Sequence, residues 1–314
     1  MKKNILVHMD KISVVMSTYN ERMEYLSLAI ESIISQTHKN IEFIILLDNP
    51  QNADIRALVR KYAKMDNRIC VIENEHNIGL TASLNKGFNY ATGDYYARMD
   101  ADDISDKNRL ECELTYMKTY GLDLVGCMTR RIDSSGSVIN ELTNISKSSA
   151  YLAKKLRFDN CIAHPTWLLR KELYDTLKGY RDIKTAEDYD FLLRAIYRGY
   201  RVGICDKCLF SYRSNITGIS RSNSLRQFLT SWVLQRNFHQ IDKVDQYRID
   251  KLLQCKITKE RNEQFERGVQ LMDKAIEQIK DHNMFALANF VKALFCSKYI
   301  GLRLYNLIRI HTLV

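Results

Sequence analysis

Proline and glycine are scarce in this sequence. Two prolines and twelve glycines in 314 residues exclude collagen-like, proline-rich and low-complexity architectures, and no internal period points to a repeat array. Neither GxGxxG nor GxxxxGK[ST] occurs, which removes the usual dinucleotide and P-loop phosphate cradles. No run approaches the roughly 18 uncharged residues of a membrane span, so an integral membrane protein is not expected. The stretch MKKNILVHMDKISVVMS has too short an apolar run, and no small-residue cleavage site, for a secretory leader. Eight cysteines, at 70, 112, 127, 161, 205, 208, 255 and 296, are scattered and mostly lie in apolar segments, which suits reduced thiols in the cytoplasm. Cys205 and Cys208 form a lone CxxC with no second pair, so strand-end packing is favoured over zinc or redox chemistry.

What is present is the composition of a globular chain, 46% hydrophobic and 27% charged, long enough for one large domain and a smaller one. A formal net charge of +10 favours anionic partners: nucleotides, nucleic acid or an acidic lipid surface. No nucleic-acid motif occurs and acids collect at strand ends, so nucleic acid is not the expected partner.

Residues 12–17, ISVVMS, form an apolar run of the kind buried on both faces of a parallel sheet, and Ser17, Thr18, Tyr19 and Asn20 end it. A helix is expected over 24–36, with Leu26, Ala29, Ile30, Ile33 and Ile34 on one face. A second buried strand, 43–47, ends in Asp48, Asn49 and Pro50. Helix 53–65, strand 69–73, helix 80–91 and strand 95–99 complete an alternation that predicts a parallel, doubly wound α/β sheet. Ligands bind beyond the carboxyl ends of such strands. That rule selects 17–21, Asp48, 77–79 and 100–103.

The densest chemistry lies in 93–110, GDYYARMDADDISDKNRL, where strand 95–99 runs straight into Asp100, Asp102, Asp103 and Asp106. In extended chain, residues two apart share a side about 6.6 Å apart, so Asp100 and Asp102 are expected to face one pocket with Asp103 turned away. Hard oxygen ligands so placed suit Mg²⁺ or Mn²⁺. The competing reading is an acidic turn capping a helix that starts near Asp106.

Successive segments carry a family resemblance: ISVVMSTYNE, the strand ending in Asp48, NIGLTASLNKG at 77–87, TGDYYARMDADDISDKNRLE at 92–111, AHPTWLLRKE at 163–172, GYRDIKTAEDYDFLLR at 179–194 and LFSYRSNITGIS at 209–220. Together they resemble the landmarks of bacterial family-2 glycosyltransferases, which build capsules, exopolysaccharides and lipopolysaccharide O-chains. The resemblance spans residues 11 to about 222. It implies a GT-A nucleotide-diphospho-sugar transferase fold, a mainly parallel sheet flanked by helices, with a catalytic domain at 1–222 and a helical C-terminal region at 223–314. Two departures stand out. The acid-acid-glycine-serine stretch after the second strand is here Leu47, Asp48, Asn49, Pro50, which leaves Asp48 alone to meet the base. The QxxRW motif of processive members is absent, so addition of a single sugar is favoured.

What the resemblance implies for function is an inverting, metal-dependent transferase in cell-surface polysaccharide synthesis. It would move one sugar from a nucleotide-diphosphate donor, a UDP-sugar foremost, to a hydroxyl of a glycan or lipid-linked acceptor. Ser17, Tyr19, Glu21 and Asp48 would meet base or ribose. Asp100 would face ribose and metal, and Asp102 would bind Mn²⁺ or Mg²⁺ directly. Asp188, with Glu187 beside it, would be the base, although Thr185 followed by an acid at a helix start also reads as a capping box. His164 reads either as a satisfied core histidine or as an acceptor-side or metal-adjacent group. Arg98 and Arg213 read either as diphosphate or sugar contacts or as surface and helix-dipole charges, and Trp167 as core or as a stacking platform. The alternative function is a catalytically silent nucleotide-sugar-binding or complex-forming subunit.

The last third changes to helices, expected over 224–240, 246–255 and 259–281. Residues 284–314 mix Phe285, Phe290, Phe295, Tyr299 and Tyr305 with Lys292, Lys298, Arg303 and Arg309 and contain no acid. Such a mix can lie on an anionic lipid surface, which would make this a cytoplasmic enzyme peripheral on the inner face of the membrane; at helical spacing the basic residues do not collect on one face, so packing on the main domain, or a homodimer contact, stands level with it.

Overall fold

The structure, a computed structural model, describes residues 10–141, 148–214, 224–254, 256–280 and 285–312. The amino-terminal nine residues, the 222/223 boundary, residues 215–220 of the last landmark, Cys255 and Asp281 lie outside the described residues.

The apolar runs do become a parallel sheet. Strands β1 (Ile12–Thr18), β2 (Ile41–Leu47), β3 (Ile69–Glu73) and β4 (Tyr95–Asp100) alternate with helices α1 (Met23–Ile34), α2 (Ala53–Met65) and α3 (Leu80–Tyr90). The β1 and β2 runs are almost fully buried because helices cover both faces of a parallel sheet. Register sets Ser17 level with Asp100 of β4 and Leu46 of β2, so the polar ends of the strands finish along one edge. At that edge Gly79 opens α3 with φ +81°, a backbone that L side chains rarely adopt.

Beyond β4 the sheet is mixed. It continues through β5 (Ile104–Ser105), β6 (Leu124–Ile132), β7 (Val138–Glu141), β8 (Leu168–Arg170) and β9 (Val202–Arg213). The order is β3-β2-β1-β4-β8-β6-β9-β5 with β7 on β6; β8 is antiparallel to β4 and β6, while β9 is parallel to β6. Helices α4 (Arg109–Tyr120), α5 (Ser149–Leu156), α6 (Lys171–Leu177) and α7 (Glu187–Tyr197) intervene. Cys205 and Cys208 straddle a bulge in β9, where register slips against β6, and burial pushes both thiols up to about 11, against the thiolate.

The carboxyl-terminal part is helical: α8 (Ser224–Arg236), a 3-10 segment Phe238–Lys243, α9 (Gln246–Leu253), α10 (Lys259–Lys280), α11 (Phe285–Cys296) and α12 (Lys298–Thr312). The chain divides into two compact units. The first takes the described residues of Met1–Leu152, Ile162–Tyr180 and Arg198–Asn215; the second takes those of Ala153–Cys161, Arg181–Tyr197 and Ile216–Val314. Each has its own core, the first around Val14, Phe43 and Met99, the second around Tyr189, Leu229, Phe265 and Ile300. Among the described residues no single helix is long and apolar enough to cross a membrane.

Candidate active site

In the first unit the edge beyond β1 and β4 gathers most of the residues singled out above. Glu21 closes the β1 end, accepting from Thr18 Oγ1 at 2.6 Å and from the Tyr19 amide at 2.8 Å. This is a Thr-x-x-Glu spacing that sequence reading passed over. The Tyr19 ring is left 43% exposed. Asp48 is buried and holds the β3–α3 loop: Oδ1 accepts from Asn74 Nδ2 at 2.8 Å and the Ile78 amide at 2.9 Å, and Oδ2 from the Gly79 amide at 3.0 Å. One lone pair of Oδ2 remains for an outside donor.

The extended chain expected through Asp103 stops at Asp100. Residues 101–103 form a turn, so strand alternation does not govern them. Asp103 goes inward, where its Oδ1 accepts from the Arg213 amide at 2.7 Å, while Arg213 Nε donates to the Asp102 carbonyl at 2.8 Å. The helix expected near Asp106 starts at Arg109, after the two-residue strand β5. The acids therefore do not cap it, and Asp106 pairs with Arg130 instead.

Arg98 and Arg213 are buried, which corrects the surface reading of both. Arg98 donates to Asp100 Oδ1 at 2.6 Å. The Arg213 guanidinium lies 4.0 Å from the centroid of the Tyr25 ring and donates to the Asp133 carbonyl at 2.9 Å. Trp167 is core, with its indole N–H donating to the Ile162 carbonyl at 3.2 Å. His164 Nε2 sits 2.9 Å from the Tyr180 hydroxyl, and burial, with Arg98 nearby, holds its imidazole well below the usual range and neutral.

Charge is crowded in this turn. Burial, then Asp100 and Glu21, push the Asp102 carboxyl up to about 6. Asp103 is raised for the same reasons, by burial and then by Asp100 and Asp102, and its Oδ2 is buried with no hydrogen-bond partner. Tyr212, missed by sequence reading, has its phenol pushed up by burial and by the same acids. A divalent cation would relieve this repulsion. Among the described residues no three His, Cys, Asp or Glu groups cluster to hold one alone. Two carboxylates completed by phosphate oxygens are the usual donor set for Mg²⁺ and Mn²⁺ in nucleotide enzymes, so Asp100 and Asp102 fit that group.

Glu187 and Asp188 belong to the second unit. The capping box expected from Thr185 and Asp188 does not form: α7 begins at Glu187. Thr185 has φ +68°, an outlier for a β-branched residue, and its hydroxyl donates to the Lys184 carbonyl at 2.5 Å. The Asp188 carboxylate accepts from Asn160 Nδ2 at 2.8 Å and from the Tyr189 amide at 2.7 Å. Asn160 lies 28 residues upstream, at a distance no local spacing reveals.

The mixed sheet flanked by helices has the GT-A glycosyltransferase fold, which solved structures share. The mannosyltransferase PcManGT of Pyrobaculum calidifontis, in complex with GDP-Man and Mn²⁺, superposes with a TM-score of 0.60 at 14% identity, over 96% of this chain and 84% of that one. TarS 1-349 of S. aureus, in complex with UDP-GlcNAc, gives 0.57 at 16% identity over 93% and 91%. The model of glycosyl transferase family 2 matches residues 13–178. An uncharacterized glycosyltransferase of Methanocaldococcus jannaschii is 38% identical over 65% of this chain and 72% of its own length. The O-antigen biosynthesis glycosyltransferase WbnJ of Escherichia coli is 32% identical over 70% and 90%. This chain belongs to glycosyl transferase family 2 and is a glycosyltransferase.

Proposed function

We propose that this enzyme transfers one sugar, with inversion, from a nucleotide-diphosphate sugar to a hydroxyl of a glycan or lipid-linked acceptor in cell-surface polysaccharide synthesis, with Mn²⁺ or Mg²⁺ bound. The observation that carries the reading is the crowded acid turn closing β4, level with Ser17 and braced from behind by Arg213. The names of related proteins support the pathway: besides the O-antigen enzyme, an amylovoran biosynthesis glycosyltransferase of Erwinia amylovora is 28% identical. The two superposed structures hold UDP-GlcNAc and GDP-Man, which supports a nucleotide sugar as donor.

In this reading the Tyr19 ring stacks against the base, Asp48 accepts from it through its spare lone pair, and Ser17 and Glu21 line the ribose side. Asp100 and Asp102 hold the cation, which when bound offsets charge growing on the leaving diphosphate. Arg98 holds Asp100 in place, Arg213 and Asp103 fix the turn, and neutral His164 packs against Trp167 and Tyr180. Asp188 takes the proton of the acceptor hydroxyl, with Glu187 raising the local negative charge. Donor chemistry is assigned to residues 1–222 and 223–314 form the helical appendage. Hydrolysis of a panel of UDP- and GDP-sugars with and without Mn²⁺ tests the reading. At least one donor should be cleaved in a Mn²⁺-dependent way, and none cleaved under any metal would sink it.

Attachment to the inner face of the cytoplasmic membrane belongs to the same proposal. Helix α11 leaves Leu287 72% and Phe295 87% exposed, with Val291 and Leu294 on the same face. Lys292 is on the same helix and Lys298 opens the next one, and no acid follows Asp281 in the sequence. The full chain should sediment with phosphatidylglycerol vesicles and a Leu287→Ser/Phe295→Ser variant should not; equal sedimentation would rule the attachment out.

A further inference from the structure

The second unit contains an open groove of about 430 Å³ whose described lining residues all belong to that unit, within the ~300–1,000 Å³ typical of small-molecule sites. Its walls are unusual. On α8 the residues facing it, Ser224, Gln227, Ser231 and Gln235, recur at helical spacing, and α10 answers with Glu266, Gln270 and Asp273. Helix faces turned toward one another ordinarily carry apolar side chains; these carry amides, hydroxyls and acids. Some are fixed in place. Gln235 donates to the Phe158 carbonyl at 3.0 Å and accepts from Asn306 Nδ2 at 3.1 Å, and Glu266 accepts from Asn262 Nδ2 at 2.9 Å and Ser224 Oγ at 3.2 Å.

Apolar surface is supplied by Phe228, whose ring lies 5.2 Å from that of Phe265, and Asp188 stands at the groove wall. In a chain of net charge +10 the groove is acidic: among the described residues Asp159, Asp188, Glu266 and Asp273 face it, against Arg303. Two of these groups offset each other, since Arg303 and Lys155 counter the rise that burial imposes on the Asp159 carboxyl. Amides beside an aromatic face bind ring hydroxyls and C–H faces of a pyranose, and the surplus of carboxylates repels phosphate and uronate.

We propose that this groove is the acceptor subsite and that the acceptor ends in an uncharged sugar whose hydroxyls meet Gln227, Gln235 and Gln270 while its apolar face lies on Phe228. The proposal rests on Asp188 being the base, and it deepens that reading by naming the acceptor's chemistry. The family model matches residues 13–178, which take in Phe158, Asp159 and Asn160 at one end of the groove, while its α8 and α10 walls lie beyond that match.

The test is saturation-transfer NMR on the full chain without donor, using methyl glucoside, methyl galactoside, methyl glucuronide and octyl glucoside below its micelle concentration. A neutral methyl glycoside should bind at least tenfold more tightly than the glucuronide. The Gln227→Ala/Gln270→Ala double variant, altered at two solvent-facing side chains, should weaken it at least fivefold, and Ser231→Trp should abolish it. If the tryptophan variant fails to fold, as its melting curve would show, the alanine pair alone decides. Sugar protons saturated equally in methyl and octyl glucosides mean the headgroup is read, whether the natural acceptor is free or lipid-linked. Saturation confined to the octyl chain, equal binding of the glucuronide, or neutral-sugar binding unchanged in the alanine pair would each overturn the proposal. Because no donor is present, the outcome is separate from that of donor hydrolysis: an enzyme that cleaves a nucleotide sugar yet binds no glycoside here overturns this inference alone.

Discussion

The acids that end β4 and those that open α7 are held in opposite ways. In the first unit, Asp100, Asp102 and Asp103 stand together at the end of β4, where burial and the charge of Asp100 raise both of its neighbours, Asp102 to about 6. Glu113 of α4 is fully buried, and among the described residues its counter-ion is Arg109, at 3.7 Å. In the second, Asp190 is equally buried but accepts from Arg181 Nε at 3.0 Å and Arg194 Nε at 2.8 Å, and Asp188 is held by Asn160. Paired acids fix geometry. Crowded, under-compensated acids store repulsion that an arriving cation releases. The first unit is thus arranged to receive charge and the second to hold a carboxylate at a set angle.

The comparison breaks first at Asp188. Asp188→Asn keeps the shape and the amide contact but removes the proton acceptor, so transfer should fall by about 10²–10⁴-fold, the range of a lost general base. Nucleotide-sugar binding by titration should be unchanged, because the donor-side residues are in the other unit. Transfer at the normal rate would make Asp188 a purely structural acid, like Asp190. Next comes Asp102→Asn. Loss of several kcal/mol of charge stabilisation corresponds to about 10³-fold in rate, while the metal-free protein should melt no lower than wild type, since the substitution removes a repelled charge. A marked drop in melting temperature with activity retained would place Asp102 among the paired, structural acids.

The sequence made the parallel half of the sheet legible because each strand is a run of apolar residues ended by polar ones, a pattern only a two-face-buried strand requires. β2 and β4 were found within two residues at either end. It could not show β5 or β8, of two and three residues, whose pairing depends on partners far along the chain. The acids after β4 stood out by composition. Their division of labour did not, because the turn at 101–103 overrides strand alternation and because the Arg213 amide that fixes Asp103 lies 110 residues away. Likewise Asp190–Arg194 and Arg109–Glu113 are the same four-residue pairing on a helix, and nothing local tells that Arg181 completes one while the other stays short of donors.

That last pair offers the finest test of the comparison. Burial outweighs Arg109 and pushes the Glu113 carboxyl up to about 7, from 4.5 in the unfolded chain. Between those values the folded protein keeps a proton that the unfolded chain has released, so stability falls as pH rises from about 4.5 to 7 and then levels off. The total is on the order of 3 kcal/mol, from about 1.4 kcal/mol for each unit of difference. Glu113→Gln should remove that slope and leave the protein more stable than wild type at pH 8, because Arg109 keeps Ser105 Oγ at 2.7 Å and the carbonyls of Arg98 and Pro165 as partners. Urea unfolding midpoints at pH 5.5 and pH 8 measure it. If the glutamine variant shows the same difference between the two pH values as wild type, Glu113 is as well compensated as Asp190, and the contrast between the two units narrows to the acids at the end of β4.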